Sequence, residues 1–433
     1  MTVQKCNWFL ANVDRAPVSA SLKSRTSGEA RFIRAYQYFL MSQLYGDVPL
    51  VTQSVTTAQA DTVTRTPKAI VTAFILSELA AIAPNLPQSY GGADVGRITK
   101  GAAISLKARI ELYNQDYNDC IADCQQVMQL GYSLYSSYTD LFRQKFINAS
   151  DNNEVIAQVM YMENTDPNSS VGVMPSFSYG GWSSLDPLQS LVDAYEMANG
   201  KTIDDPASGY DPNQPYQSRD PRLGQTVVYP GQLYPDASGN TKYFDPLTPS
   251  SSDYYNSGNN TSVTGYIEKK FTAVLSDYDN LFNTGLDMIL IRYAEVLLNY
   301  AEAKIEAGQI DGSVYAAINQ VRNRAGMPSV DQTVYNSQST LRTLVRRERR
   351  VELALEGLRW FDIQRWQIGP QVMNGPVYGV RPGTVDPTTG AINLTSGNIQ
   401  VETRVFDANK NYVWPVPQSE IDINKHLKQN PNY

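Results

Sequence analysis

Apolar residues recur at three- and four-residue steps in several stretches of the chain, which is the pattern of helices with one buried face. The first such stretch is residues 29–44, where Phe32, Tyr36 and Phe39 follow this spacing. Gly46 comes shortly afterwards, and glycine commonly occupies the left-handed position that ends a helix. We therefore predict a helix over residues 29–44 that ends at this glycine.

The same spacing predicts more helices before and after a central segment of different composition. Small residues such as Ala102, Ala108 and Ala122 lie in two consecutive stretches and would let the two helices approach closely. This arrangement resembles a tetratricopeptide-type helix–turn–helix. The further predicted helices cover residues 67–82, 99–113, 117–130, 286–307, 313–325 and 339–357.

The central segment, residues 164–285, is rich in Pro, Gly, Asn, Ser and Tyr and has only a short helical pattern at residues 188–195. Long segments without regular structure are uncommon in compact domains unless they are functional, so we expect packed loops and a few short strands. The prediction is a mainly α fold, a tetratricopeptide-like helical scaffold with a large loop-rich insertion. Its parts are an N-terminal helical region (1–163), the insertion (164–285), a C-terminal helical region (286–368) and an irregular segment packed on the scaffold (369–433).

Composition adds a preference for a polar ligand and argues against nucleic acid. The chain has 28 Tyr but only 12 Phe and 5 Trp, and a ring with a hydroxyl suits a partly wet surface. The formal net charge is −7, whereas phosphate binding depends on Lys and Arg. The basic residues 346–350 are interleaved with Glu348 and Glu352, so we interpret this run as a paired helix face, with Arg349 and Glu352 paired to each other or to neighbouring helices.

The remaining chemistry of the chain excludes several classes of site. His426 is the single histidine, which leaves no basis for a histidine-based metal site or a Ser–His–Asp triad elsewhere. Cys6, Cys120 and Cys124 form no even framework and are expected to be small buried apolar residues. No run approaches the roughly 20 apolar residues of a membrane span. The first residues lack a signal-peptide pattern, so Cys6 is not expected to carry a lipid.

Blocks of residues in a characteristic order resemble the SusD/RagB family of Bacteroidetes outer-membrane lipoproteins. The most specific block is RRERRVELALEG at 346–357, followed by RWFD at 359–362 and RW at 365–366. The other blocks are EARFIRAY at 29–36, LYGDVPLV at 44–51, LVDAYEM at 191–197, RDPR at 219–222, IRYAEVLLNYAEA at 291–303, VRNRAG at 321–326, WPVPQSEI at 414–421 and QNPNY at 429–433.

This resemblance implies a function and a location. It implies a cell-surface, outer-membrane protein of polysaccharide utilisation that captures oligosaccharides and passes them to a SusC-type TonB-dependent transporter without cleaving them. Members of the family usually begin with a signal peptide, a lipidated cysteine and a further helical segment. The block KCNWFLAN at 5–12 resembles the end of that segment, so we expect that the sequence starts late and that the lipid anchor lies outside it.

Sugar binding requires flat aromatic faces for the C–H patches of pyranose rings and polar side chains for the hydroxyls. We expect such residues in the insertion, and Trp182 is the first choice. Trp360 and Trp366 lie in the most typical family block and are expected to stabilise the fold. The candidate glycan-binding residues are Phe177, Tyr179 and Trp182 in a Gly-rich turn, Tyr254, Tyr255 and Asn256 in a second loop, and Asp277, Tyr278, Asn280 and Phe282 in a third.

Two alternatives to glycan capture stay open from the sequence. One is a tetratricopeptide-type scaffold for protein interactions that binds no carbohydrate. The other is a glycoside hydrolase, which needs two acids flanking the scissile bond; the pairs Asp204–Asp205 and Asp277–Asp279 are the candidates, although loop acids are commonly solvated turn residues. No cofactor is predicted. Ca²⁺ binding is left open, without an EF-hand-like spacing to support it.

Overall fold

The computed structural model describes residues 2–395 and 397–433, and the chain there is mainly helical, as predicted. The helices are α1 Thr2–Asn12, α2 Ala20–Tyr45, α3 Thr57–Ala60, α4 Lys68–Ile82, α5 Lys100–Tyr113, α6 Tyr117–Met128, α7 Gln189–Ala194, α8 Pro221–Thr226, α9 Tyr293–Glu306, α10 Gly312–Arg324, α11 Gln338–Glu352, α12 Arg359–Arg365, α13 Gly369–Val372 and α14 Gln418–Ile423.

Short strands form two-stranded antiparallel sheets, in which β1 pairs with β6, β2 with β5, β3 with β4, β7 with β10 and β8 with β9. The strands are β1 Val155–Val159, β2 Val227–Val228, β3 Leu233–Pro235, β4 Thr241–Tyr243, β5 Ile267–Glu268, β6 Met288–Arg292, β7 Gly375–Tyr378, β8 Gly383–Val385, β9 Ile392–Leu394 and β10 Gln400–Arg404.

The chain divides into two compact units, and the first comprises residues 1–131, 360–374 and 405–433. Its helices pack in sequence, α1 on α2, α2 on α4, α4 on α5 and α5 on α6. Helix α2 begins at Ser19, whose hydroxyl accepts a hydrogen bond from Leu22 N, and it ends at Gly46 with φ of 72°. Phe39 on α2 packs against Tyr113 on α5 and Phe361 on α12, which gives this unit an aromatic core.

The second unit comprises residues 132–359 and 375–404, and it contains the whole predicted insertion together with α9, α10 and α11. Helix α9 is buried along almost its entire length, because both α10 and α11 pack against it. An aromatic core in this unit includes Phe142, Tyr179, Tyr234 and Phe244. The long loops of the insertion therefore pack on a core that they share with residues before and after them.

Three predicted helix boundaries are wrong by five or more residues. Helix α2 begins at Ala20 instead of residue 29. A helix is predicted over residues 286–307, but Met288–Arg292 forms strand β6, and the helix starts at Tyr293. In the pairing of β6 with β1, Met288 lies opposite Val159, and Ile289 lies opposite Gln158. A short continuous apolar run is compatible with either structure, and the partner strand, which lies far away in sequence, decides it. Helix α11 also ends earlier than predicted, at Glu352 instead of residue 357.

Helix α4 is unusually apolar. Within the described residues, Lys68–Asn85 is the stretch whose length and mean hydropathy of 1.3 match those of a membrane-crossing helix, and 39% of it is buried inside the protein. A core helix passes the same criteria, and α4 packs with α2 and α5 in the first unit. Its buried apolar residues are Val71, Ile75, Leu79 and Ile82.

Candidate functional site

Three loops of the second unit carry the predicted ligand-binding residues, and we call them together the loop cluster: residues 170–185, 251–263 and 277–285. Backbone and side-chain hydrogen bonds join the first two loops. Phe177 N donates to Asn260 O over 3.0 Å, and Ser176 Oγ donates to the Asp253 carboxylate over 2.6 Å. The third loop meets the first through the rings of Trp182 and Phe282. The structure thus brings together three segments that are distant in sequence.

Trp182 is the most prominent residue of the loop cluster. Its side chain is 52% exposed, and its ring lies 4.6 Å, centroid to centroid, from the half-buried ring of Phe282 at 44°. The Phe282 ring packs directly against Gly172, where a Cβ atom would lie 2.5 Å from the ring. Trp182 is therefore fixed on one side and open on the other, as required of a platform that binds a ligand without first becoming ordered.

Phe177 and Tyr179 lie on the same short turn but in opposite environments. Phe177 is 58% exposed, whereas Tyr179 is 1% exposed and packs against Tyr234 and Phe244. Lys242 Nζ covers the Tyr179 ring at 4.5 Å from its centroid. Tyr179 therefore stabilises the turn from below and has no free face for a sugar, contrary to the role that the sequence analysis gives it.

A buried carboxylate organises the turn that carries these two rings. Asp253 accepts hydrogen bonds from Ser176 Oγ at 2.6 Å and from Ser178 Oγ, so it clamps the residues on either side of Phe177. Lys242 donates to Ser178 Oγ over 2.6 Å and lies 3.4 Å from the same carboxylate. The position of Phe177 is therefore set by a polar group that the sequence analysis did not single out.

The second loop offers aromatic and amide groups at its surface. Tyr254 and Tyr255 are half-buried, with ring centroids 4.8 Å apart, and Tyr255 also packs against the core of the unit. Asn256 is exposed, as are the residues that follow it to Asn260. Burial raises the pKa of the Tyr255 hydroxyl, with a contribution from Tyr254, so the Tyr255 hydroxyl is a neutral hydrogen-bonding partner at neutral pH.

The third loop has only part of its predicted residues available to a ligand. Asp277 accepts hydrogen bonds from Arg143 at 2.8 Å and pairs with Lys145 at 2.7 Å, and its side chain is almost fully buried. Burial acts to raise the pKa of Asp277, but these two cations outweigh burial and lower it. Tyr278 is buried in the aromatic core, whereas Asn280 is exposed. Asp277 and Tyr278 therefore stabilise the loop.

Two exposed apolar residues of the cluster were missed by the sequence analysis. Leu185 and Val263 are both more than half exposed, and the Asp186 carboxylate connects their loops by accepting bonds from Val263 N and Ser183 Oγ. Burial raises the pKa of Asp186 to about 6. Each residue is an isolated apolar side chain in a polar loop, and that signal was available in the sequence.

A second unusual carboxyl group lies beneath the cluster. Glu268 on β5 is buried, and burial raises its pKa to about 8, with a further contribution from the negative charge of Asp186 and an opposing one from Lys270. Glu268 is therefore protonated at neutral pH. A neutral carboxylic acid can be buried at much lower cost than a carboxylate, which explains why it is tolerated there.

An ionic cluster anchors the insertion to the helical part of the unit. Glu352 on α11 accepts hydrogen bonds from Arg222 at 2.8 Å, from Arg292 at 2.7 Å and from Arg324. Arg222 belongs to α8 in the insertion and also binds Glu348 at 2.6 Å. Burial opposes the ionisation of Glu352, but the arginines outweigh it and hold its pKa well below its usual range. The predicted paired helix face is thus an inter-element network.

Metal binding receives no support from the part of the chain that the structure describes. Among residues 2–395 and 397–433, no three His, Cys, Asp or Glu side chains lie close enough together to hold an ion. The three cysteines are buried, and none forms a disulfide. The chemistry available at the loop cluster is therefore that of aromatic faces, amides and hydroxyls.

Comparison with protein families gives two matches that together extend over most of the chain. The family model described as "SusD family" matches residues 141–433, and a model described as "Starch-binding associating with outer membrane" matches residues 1–112. A curated relative, SusD-like protein P2 of Formosa agariphila, is 25% identical over 99% of this chain and 77% of its own length. A SusD-like protein of Bacteroides ovatus is 25% identical over 81% of this chain and 60% of its own length.

Solved structures resemble the whole chain. A SusD-like carbohydrate binding protein from Bacteroides fragilis has a TM-score of 0.86 and 31% identity, covering 98% of this chain and 84% of its own. Another SusD-like protein from Bacteroides fragilis has a TM-score of 0.84 and 32% identity, covering 100% of this chain and 84% of its own. These matches confirm the resemblance and the mainly α fold predicted from the sequence. The chain therefore belongs to the SusD/RagB family.

Proposed function

We propose that this protein is a glycan-binding protein of the outer-membrane surface that captures oligosaccharides or polysaccharides at the loop cluster. The observation that carries the proposal is Trp182, a half-exposed ring held in place by Phe282. Phe177, Asn256 and Asn280 provide a further exposed ring and amide groups in the same three loops. A related structure, the Bacteroides fragilis protein at 31% identity, is described as carbohydrate binding, which supports a sugar as the ligand.

The proposal includes delivery of the glycan to a SusC-type TonB-dependent transporter and attachment to the outer membrane by an N-terminal lipid. Membership of the SusD/RagB family supports this, as does the description of the model that matches residues 1–112. In the native host, a tagged full-length protein should co-purify with a TonB-dependent transporter from detergent-solubilised outer membranes. Recovery of the tagged protein from those membranes without any transporter would contradict this part of the proposal.

Binding without cleavage is the proposed mode of action. Of the carboxylate pairs considered for catalysis, Asp277 is committed to Arg143 and Lys145, and Asp205 binds Lys201 at 3.1 Å in an exposed turn. Neither arrangement supplies a free acid beside a free base, which glycoside hydrolysis requires. Incubation with a polysaccharide panel should release no reducing sugar. Release that is lost in an Asp279→Asn variant would establish hydrolysis instead.

The test of glycan binding is affinity electrophoresis of the protein in native gels that contain one polysaccharide each. We expect retarded migration in at least one polysaccharide and a loss of retardation in Trp182→Ala. The matched control is Trp8→Ala, because Trp8 is 63% exposed but lies on α1 in the other compact unit. Migration that is unaffected by every polysaccharide, together with binding of a peptide, would favour the protein-interaction scaffold.

A further inference from the structure

We infer that the loop cluster selects a neutral glycan and discriminates against polysaccharides that carry sulfate or uronate groups. The inference rests on the proposed function, since it names the class of glycan that the same loops bind. The structure bears on this choice because neutral and anionic sugars need different side chains. An anionic sugar needs Arg or Lys at its charged groups, whereas a neutral one needs only rings, amides and hydroxyls.

The first two loops have almost no charge. The first, residues 170–185, contains no Lys, Arg, Asp or Glu, and the second, residues 251–263, contains only the buried Asp253. Their exposed side chains are aromatic, aliphatic, amide or hydroxyl groups, with Phe177, Trp182 and Val263 among the apolar ones and Asn256 among the polar ones. Such a surface can stack on the C–H face of a sugar and hydrogen-bond its hydroxyls, but it cannot neutralise an anion.

The cations that contact the loop cluster are already committed. Lys242 donates to Ser178 Oγ over 2.6 Å, lies 3.4 Å from the buried Asp253 carboxylate and covers the Tyr179 ring. In the third loop, Arg143 and Lys145 both bind Asp277, as described above. Each positive charge therefore faces a carboxylate of the protein. Recruiting Lys242 to a ligand would take the cation away from the buried Asp253 carboxylate, which is costly, and recruiting Lys145 would leave Asp277 with Arg143 alone.

Acidic residues border the same loops. Asp279 is exposed in the third loop, and Glu163 and Asp166 are exposed in the segment that is bonded to it. That segment is joined to the third loop by Asn164 N, which donates to Asn283 Oδ1 over 2.8 Å. Together with the net charge of −7, these acids would repel an anionic polymer as it approached. The exposed acids therefore repel anionic polysaccharides, in addition to the lack of a free cation that would bind them among the described residues of the loop cluster.

The test compares two groups of polysaccharides in affinity gels and in calorimetry at neutral pH. The neutral group is laminarin, starch, xyloglucan, galactomannan and arabinoxylan; the anionic group is alginate, polygalacturonate, carrageenan and chondroitin sulfate. We expect retention by at least one neutral polymer and none by the anionic ones. The affinity for the neutral polymer should change by less than about twofold between about 20 mM and 500 mM NaCl, because no ion pair contributes to it.

A gain-of-charge variant tests the cause. In Asp279→Lys combined with Asp166→Lys, two exposed acidic positions beside the loops acquire positive charge, and we expect new, salt-sensitive retention by an anionic polymer with neutral binding kept. The inference would be overturned if the unmodified protein bound an anionic polysaccharide, whether or not it also bound a neutral one, although the proposed function would then stand. It would also be overturned if the variant gained no anionic binding. If the unmodified protein bound neither group, the proposed function itself would fail, and the inference with it.

Discussion

At the scale of single residues, the exposure of each aromatic ring distinguishes the rings that can contact a ligand from the rings that stabilise the loops. Trp182 and Phe177 are open to solvent, whereas Tyr179 and Tyr278 are buried beneath the loops that carry them. The sequence could identify the turn as aromatic and Gly-rich, but loops lack the periodicity that tells an inward side chain from an outward one. Which rings are exposed is decided by contacts from other loops, above all Phe282 on Trp182.

The buried hydroxyl of Tyr179 gives a prediction about stability. Within the described residues this hydroxyl has no hydrogen-bond partner, whereas the hydroxyl of Tyr234 donates to Thr272 O over 2.8 Å. Tyr179→Phe should therefore leave the free energy of unfolding unchanged or raise it by up to about 1 kcal/mol, and the matched Tyr234→Phe should lower it by about 1 kcal/mol. Urea unfolding of the two variants measures this. Equal decreases in the free energy of unfolding of the two variants would contradict the conclusion that the Tyr179 hydroxyl has no hydrogen-bond partner.

Glu268 gives a prediction about pH. Its pKa is raised by burial, and by the charge of Asp186, to about 8 in the folded protein, against an ordinary value of 4.5. The protonated form is favoured by folding, so its contribution to stability is complete below about pH 4.5 and is lost as the pH rises through about 8. In Glu268→Gln this loss cannot occur. The melting temperature of the variant relative to the unmodified protein should therefore rise between about pH 5 and pH 9.

The control for this comparison is Glu420→Gln, which alters an exposed side chain on α14. Its melting temperature relative to the unmodified protein should stay constant over the same pH range. A Glu268→Gln variant whose relative stability was likewise independent of pH would show that the buried carboxyl group is ionised in the folded protein at neutral pH.

At the scale of elements, helices were predicted where local signals agree. Residues 99–113 were predicted as a helix, and α5 covers Lys100–Tyr113, beginning after Thr99, whose hydroxyl accepts from Ala102 N. The apolar spacing, the capping residue and the residues that end the helix are all local to this segment. The strand Met288–Arg292 was missed because its pairing partner, Val155–Val159, lies far away in sequence. Local patterns predict helices well, and long-range pairing has to be observed.

The anchoring of the insertion by Glu352 gives a prediction at this scale. Its carboxylate is buried and accepts bonds from arginines of three different elements, Arg222, Arg292 and Arg324. Glu352→Gln keeps the shape but removes the carboxylate that these cations share. Each arginine keeps a second carboxylate, so the free energy of unfolding should fall by about 1.5–3 kcal/mol, the usual contribution of a hydrogen bond to a charged group. The control is Asp422→Asn, because the Asp422–Lys425 pair is exposed and solvent-screened, so its loss should leave the free energy of unfolding almost unchanged.

Urea unfolding followed by circular dichroism measures both variants. A loss of less than about 1 kcal/mol for Glu352→Gln would mean that the ionic cluster is replaceable and that the insertion is held by its apolar contacts instead. The family block at residues 346–357 would then need an explanation other than anchoring.

At the scale of the whole molecule, the family could be predicted from ordered blocks of sequence and the mainly α fold from the spacing of apolar residues. The position of the loop cluster could be predicted only as a segment of unusual composition. Its geometry depends on loops 170–185, 251–263 and 277–285 meeting through a few hydrogen bonds and one ring pair. The charge of the cluster becomes informative only when its cations are seen to be paired with Asp253 and Asp277.

The central claim is that the Trp182 platform binds glycan, and calorimetric titration of one neutral oligosaccharide tests it most directly. The oligosaccharide is taken from the polymer that gives the strongest retention. We predict that Trp182→Ala weakens binding by about tenfold or more, that Trp182→Phe retains part of the affinity through its smaller ring, and that Trp8→Ala binds within about twofold of the unmodified protein. A Trp182→Ala protein that is folded and binds the oligosaccharide as tightly as the unmodified protein would contradict the claim.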